Sequence, residues 1–458
     1  MSNAIVVLNV SQTQAPAPNT LQQTGALISQ GGTTKAPNTL TLVSTLAQLV
    51  SILSAGVSLT SLVYNAGTVT ATTSVPHGWA VGDTPVSMTI SGASPAGYNG
   101  SFVATITGTS TFTYPLGSNP GSETVPGTAV LGSESELLAM GTTYFSGNGN
   151  PAIYVLELGE GTPNEGVAAL STWLSNNPQT VYSFLVPYEW DNNANFLTFL
   201  NTQTAPNAKV YFMVTTILAN RAVYAGLKCV LAAVETPNNP ASEFSLASTL
   251  GTTLGYNPGS TNRVTPLSYA YAYGVTPYPQ AGNQTTFTQL NTANVGYFAV
   301  ASEAGLSNVI TFYGQMQDGN PFNYWYSADW VQINLDLNLS NEIVNGSNNP
   351  LAPLYYDQNG INRLQNRAAQ VLAQAVTNGL AVGTVLKTSL PASVFAANYE
   401  AGLYEGFLVI NAEPFITYSQ ENPNDYAIGK YAGLACVYTP SRGFKQIFFN
   451  LNVTNFIA

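Results

Sequence analysis

The chain has 458 residues, 45% of them apolar, which is too long for one typical domain and enough to bury cores in about two to four units. Only 7% of the residues are charged, against roughly a quarter in ordinary soluble domains. The 22 acidic and 11 basic residues give a net charge of −11 without the clustered Lys and Arg that phosphate binding needs, which excludes a nucleic-acid partner.

The N-terminus, MSNAIVVLNVSQ, has neither a basic leader nor a long apolar stretch, so it does not read as a signal peptide. Residues 4–11 are rich in β-branched side chains and predict a short strand built on Ile5, Val6, Val7, Leu8 and Val10. Pro16 and Pro18 separate it from the rest of the chain. Residues 22–63 have a globular pattern. Within them 44–53 predict a short helix with Leu46, Leu49, Val50 and Leu53 on one face. Composition then shifts. Residues 64–130 hold no Lys or Arg and run in Thr, Ser, Gly, Val and Ile with closely spaced turn signals, the pattern of a small all-β module. Ser133 through Glu136 read as a capping box that reopens helix, so the module is expected to be an insertion in the surrounding domain.

From 150 to 240 strand and helix alternate: PAIYVLELG, a helix over 165–175, TVYSFLVPYEW, AKVYFMVTTI and CVLAAVET. This rhythm predicts helices packed on a sheet. A strand is expected at 307–313 and a turn followed by a helix at 317–338. The clearest helix covers 357–379, with Ile361, Leu364, Ala368, Val371, Leu372 and Val376 on one face and Gly379 at its end. Segments 406–417 and 433–439 read as paired strands. After a Pro440–Gly443 turn, residues 444–458 alternate strictly, with Ile447, Phe449, Leu451 and Val453 on one face, so the last segment is a strand.

Both termini thus predict strands separated from the core by Pro and Gly joints. Strands so placed suit addition to a neighbour's sheet, and a subunit that both lends and accepts strands builds a helical polymer rather than a closed dimer. A surface of amides, hydroxyls and Tyr, 26 in all, fits protein contact better than solvated isolation.

Chemistry finds few footholds. His77 is the one histidine, set in a Gly/Pro turn where a turn role is expected, and no other residue replaces it in a triad or a His-based metal site. Cys229 and Cys436 are the two cysteines, too few for a disulfide framework and expected as buried free thiols. No phosphate-loop or dinucleotide fingerprint occurs, and no stretch approaches the roughly 20 apolar residues of a membrane span. A carbohydrate-active enzyme needs only two carboxylates. Glu157 with Glu160, and Glu189 beside Trp190 and Asp191, are the candidates for that reading.

The order of the segments resembles the contractile tail sheath proteins of myophages, in particular a divergent branch from Pbunavirus-like phages. QTGALISQGGTT, SESELLAMGTTYFSGNGNPAIYVLELG, DGNPFNYWYSADWVQINL around Asp329 and Trp330, YYDQNGINRLQNRAAQVLAQAVTNG and the C-terminal strand carry the likeness, over about 20–63 and 130–458. The run Pro76-His77-Gly78-Trp79, Tyr98-Asn99-Gly100 and Thr111-Phe112-Thr113-Tyr114 resembles a β-module that decorates phage structural proteins. There Asn99 and Gly100 are expected at positive φ.

The resemblance implies an α+β or α/β multidomain fold. It has a sheath core at 21–63 and 131–443, with subdomains 131–264 and 265–443, a mixed sheet flanked by helices, and an outward-facing β-module at 64–130. Strand-forming arms occupy 1–20 and 444–458. It implies a non-enzymatic virion subunit without a cofactor that polymerises around a tail tube and meets baseplate and tail terminator proteins. Arm strands would carry the inter-subunit contacts and Pro16, Pro18, Pro440 and Gly443 would be their hinges. A phage surface adhesin or decoration protein is the alternative that the β-module also fits.

Overall fold

The computed structural model describes residues 20–79, 81–82, 85–147, 149–205, 208–235, 243–259, 263–279, 283–300 and 308–444. The chain divides into two compact units. The larger holds Leu21–Gly255 and Pro266–Phe322, and the smaller holds Tyr256–Thr265 and Asn323–Gly443.

The larger unit starts with β1 (Gly25–Ser29), β2 (Thr39–Val43) and helix α1 (Leu46–Ile52). Thr45 caps α1 by accepting the Gln48 N–H. Leu49, Ile52 and Leu53 are buried, whereas Val50, expected on the same face, is exposed. The helix is only two turns long, so Ile52 supplies the position that Val50 does not reach.

Next come β3 (Val57–Asn65), β4 (Thr68–Thr73), β5 (Pro85–Ser91), β6 (Gly100–Gly108), β7 (Thr111–Pro115) and β8 (Thr128–Leu131). They close into a barrel in the order β3-β4-β7-β6-β5-β8, antiparallel throughout. Alternate residues point inward, among them Leu62, Val69, Met88, Ile106 and Phe112, as closure of a small barrel demands. The compositional break at 64 falls inside β3. That strand still carries Tyr64 and Asn65 of the Lys- and Arg-free stretch, but its apolar inward set begins at Val57. Asn99 has φ −80 rather than a positive value, because its side chain clamps the Ala93 backbone, accepting from its N–H and donating to its C=O. Gly100 alone takes positive φ there.

Helix α2 (Gly132–Ser146) leaves the barrel directly. Its N-cap is Leu131 and has no side-chain bond, so the expected Ser133 capping box does not form: the helix has already begun one residue before Ser133. A capping box does open the next helix. After β9 (Ile153–Glu157), α3 (Pro163–Asn176) begins with Thr162 and Glu165 bonding each other's backbone N–H groups. β10 (Ser183–Leu185), α4 (Ala194–Thr202), β11 (Tyr211–Thr216), β12 (Val230–Val234) and α5 (Ser245–Leu254) come after it. The sheet order is β12-β11-β10-β1-β9-β2, parallel except for β2, which runs antiparallel to β9 at the edge. Its inner strands β1 and β11 are buried on both faces, as parallel strands covered by helices must be. Val167, Leu170 and Trp173 of α3 and Phe196, Phe199 and Leu200 of α4 pack on one face, while α2 and α5 pack against the sheet and each other. Helices α1 and α2, which bracket the barrel in sequence, also touch. The barrel is therefore an insertion in a surface connection. Helix α6 (Gln284–Thr292) and the antiparallel pair β13 (Tyr297–Val300) and β14 (Val309–Phe312) complete the unit.

The smaller unit is built on α7 (Phe322–Asn348), α8 (Gln358–Thr377), β15 (Thr384–Thr388), α9 (Ala392–Glu400), β16 (Phe407–Ala412), α10 (Phe415–Glu421), α11 (Pro423–Ala427) and β17 (Leu434–Val437). Asp357 caps α8 by accepting the Gly360 N–H at 2.8 Å. Gly360 has to be Gly, because a Cβ there would lie 1.9 Å from the Tyr355 carbonyl oxygen. Ile361, Ala368, Val371 and Leu372 are buried as the periodicity predicts, joined by Ala375, and Gly379 ends the helix at φ +74. The sheet order is β15-β16-β17, with β15 parallel and β17 antiparallel to β16. On one face Val409 packs with Phe395 and Tyr404. Leu408 and Ile410, also buried, alternate to the other face, where α8 packs.

Candidate functional site

The arm residues singled out by the sequence, Ile5, Val6, Val7, Leu8, Val10, Pro16 and Pro18 at one end and Ile447, Phe449, Leu451 and Val453 at the other, lie outside the described residues. What the structure does describe is the exit toward the C-terminal segment and the strand edges beside it. The β15-β16-β17 sheet has only one inner strand. Among the described residues, the outer edges of β15 and β17 pair with no further strand, and such edges accept strands. Ile416 is 66% exposed and Ile428 76% exposed in the same unit. Arg363 pairs with Glu342 at 2.6 Å and Lys430 with Asp425 at 3.2 Å.

The chain beyond β17 is tied down before it leaves. Val382 N–H donates to Thr439 O at 3.1 Å and Ser441 N–H donates to Leu380 O at 2.8 Å, with Pro440 buried in a bridge to Ala381. The Asn323 side chain donates to Ser441 O at 3.0 Å, Ser327 Oγ donates to Leu380 O at 2.5 Å, and the Tyr438 hydroxyl bonds Ser327. The Arg442 guanidinium lies 5.0 Å above the Tyr324 ring, a cation–π contact. Past it, Gly443 is half-buried and Phe444 is 77% exposed.

The carboxylates proposed for sugar chemistry are used otherwise. Glu157 is buried, and its Oε1 accepts from the N–H groups of Gly31 at 2.7 Å and Gly159 at 2.8 Å. Its Oε2 accepts from Ser29 Oγ at 2.8 Å, Thr33 N at 3.1 Å and Thr33 Oγ1 at 2.8 Å. Glu157 therefore clamps the β1–β2 connection to β9. Asp191 accepts from Tyr224 OH at 2.9 Å, Asn220 Nδ2 at 2.9 Å and Ile217 N at 3.3 Å. Trp190 is fully buried, with its indole N–H on Gln30 Oε1 at 2.6 Å, and presents no face to a sugar. Glu160 and Glu189 do line an open cleft, together with Glu136, which no sequence motif marks as a site residue. Burial pushes the Glu136 carboxyl up to about 8 and that of Glu134 up to about 7.

His77 lies in the loop after β4, where a turn role is expected. It is buried, its ring stacks on Trp79 at 4.5 Å, and its Nδ1 accepts the Trp79 N–H at 3.1 Å. Burial lowers its pKa below the usual value. Of the thiols, Cys229 is buried and Cys436 is exposed on β17, because β17 is an edge strand. Among the described residues no group of three or more His, Cys, Asp or Glu is arranged to hold a metal ion, and no helix is long and apolar enough to cross a membrane.

No family model matches the sequence, and no curated protein matches it. Solved structures do. A chain of the cryo-EM structure of the anti-feeding prophage baseplate, 6-fold symmetrised, superposes with a TM-score of 0.53 at 11% identity, over 99% of this chain and 98% of that one. A chain of the same prophage's helical sheath in the contracted state gives 0.49 at 11% identity, over 99% of each chain. The likeness to the baseplate chain covers nearly the whole of both chains, so the α+β multidomain chain shares that chain's fold.

Proposed function

We propose that this protein is a structural subunit of a bacteriophage contractile tail sheath. The end-to-end fold match to a chain of the anti-feeding prophage baseplate carries this reading, and the low charge and open strand edges support it. In it, copies polymerise into a helical tube around a tail tube protein, bounded by baseplate and tail terminator proteins. The strand of residues 4–11 and the strand of 444–458 add to neighbours' sheets, with the β15 and β17 edges as acceptors. Pro16 and Pro18 act as the hinge of the first arm. The second pivots at Gly443, beyond Pro440, whose buried bridge to Ala381 anchors the root of the arm. Contraction rotates subunits while the exchanged strands keep them linked, and it drives the tube through the host envelope. The inserted barrel faces outward, since it would collide with a central tube if it faced inward.

Negative-stain electron microscopy of the purified chain beside a version lacking 444–458 tests this. Tubes from the full chain and none from the truncation are expected. Dispersed monomers from the full chain across salt and concentration would sink the proposal.

A further inference from the structure

The segment 413–433, which joins β16 to β17, forms a finger of two short helices, α10 and α11. Its base is fixed. The Phe415 N–H donates to Gln358 Oε1 at 2.8 Å, and the rings of Phe415 and Tyr426 pack on Tyr356 at 5.7 and 5.3 Å. The tip is held as well. The Tyr356 hydroxyl donates to Lys430 O at 2.9 Å, the Lys430 N–H donates to Asp425 O at 2.8 Å, and Gly429 turns the chain at φ +73. The side chain that this support holds out is Ile428, 76% exposed. An apolar side chain on a fixed support loses little freedom when a partner covers it.

The larger unit carries a recess of matching chemistry. The loop between β11 and β12 faces α6 across a groove of about 340 Å³, lined by Ala222, Ala225, Ala293, Thr288 and Thr292. Thr288 Oγ1 donates to Gln284 O at 2.9 Å and Thr292 Oγ1 donates to Thr288 O at 2.8 Å. Both hydroxyls are satisfied within α6, so an apolar occupant leaves neither without a partner. The walls are short side chains, and the occupant supplies the bulk. Arg221 is the charged residue at the groove. Its Nη1 donates to Leu218 O at 2.8 Å, and among the described residues no carboxylate pairs with it. The finger has the opposite remainder. Lys430 is paired with Asp425, which leaves Glu421, exposed at the end of α10, without a cation among the described residues.

We propose that Ile428 of one copy fills the groove between Ala225 and Ala293 of the next copy, with Glu421 beside Arg221. Polarity matches, since an apolar knob meets an apolar hole, and the one unpaired charge on each side is opposite to the other. A knob on one patch and a hole on another make a heterologous contact, which two copies do not close and further copies extend. The inference rests on the sheath reading only for the tube that repeats of this contact build; the contact itself needs two copies.

Sedimentation velocity of the full chain across concentration, beside electron microscopy, tests this. Ile428→Lys removes the knob and brings a cation to Arg221, and Ala225→Trp fills the groove. Each is expected to raise the concentration at which assembly begins by about tenfold or more, with far-UV signal and melting temperature unchanged. Mixed one to one where each alone is monomeric, the two variants are expected to form a dimer and stop there, because one intact knob meets one intact groove. Assembly of Ile428→Lys at the wild-type concentration means that another occupant or none fills the groove, and it overturns the proposal. A mixture that stays monomeric overturns it equally. Should Ala225→Trp not fold, Thr292→Trp fills the same groove from α6. The two readings fail separately. Wild-type-like tubes from Ile428→Lys keep the sheath and remove this contact, whereas a dimer from the mixture without tubes from the wild type keeps the contact and removes the sheath.

Discussion

Glu157 shows how a residue that looks catalytic in the sequence becomes structural. It ends β9, where α/β folds often keep reactive groups, yet its two oxygens receive the backbone and hydroxyl donors of Ser29, Gly31, Thr33 and Gly159. Each donor is backbone or a short side chain, so nothing in the one-dimensional pattern marks them as partners. Glu157→Gln turns one acceptor into a donor against these N–H and O–H groups. We expect it to cost about 3 kcal/mol, read from denaturant unfolding; a change below about 0.5 kcal/mol removes the clamp role. His77 makes a second residue-scale test. In the unfolded chain it takes a proton near the ordinary value of 6.5, whereas in the barrel burial lowers its pKa. Its contribution to stability is therefore intact above that value and is lost as pH falls below it. Protonating Nδ1 also breaks the bond from the Trp79 N–H. Compared with wild type, His77→Gln is expected to lose part of the drop in melting temperature between about pH 7 and pH 5; identical slopes would exclude this role.

At the scale of elements, the barrel is the most separable part. It has its own apolar interior, and the helices on either side of it in sequence, α1 and α2, pack on each other. Replacing Val57–Leu131 by a short Gly/Ser connection is expected to leave a cooperative unfolding transition and the helical far-UV signal of the remainder. Loss of both on circular dichroism would show that the barrel is integral. Helix α8 was legible because its apolar positions repeat at three and four residues and Gly379 stops it. Leu372 is buried beneath it, and Leu372→Ala should cost about 3 kcal/mol. The capping box illustrates the opposite case. Ser133–Glu136 and Thr162–Glu165 carry the same signal, but only the second forms, because β8 runs into α2 without a break and leaves Ser133 already inside the helix.

For the whole molecule, low charge is the governing property. With only 7% charged residues, the contacts between copies in the proposed tube rest on apolar and amide surface. Raising salt from about 0.1 M to about 1 M shortens the screening length from about 10 Å to about 3 Å. Tube yield by electron microscopy and light scattering is expected to change by less than about twofold over that range. A collapse of yield would mean that charge pairing dominates assembly. The sequence by itself determined the helix–strand rhythm and the all-β insertion, because periodicity, turn residues and composition act locally. Only the tertiary structure decided which carboxylates are bonded and which line a cleft, that His77 is buried on Trp79, and that the six- and three-stranded sheets take the orders β12-β11-β10-β1-β9-β2 and β15-β16-β17. Those facts depend on contacts between residues far apart in the chain, and no local pattern encodes them.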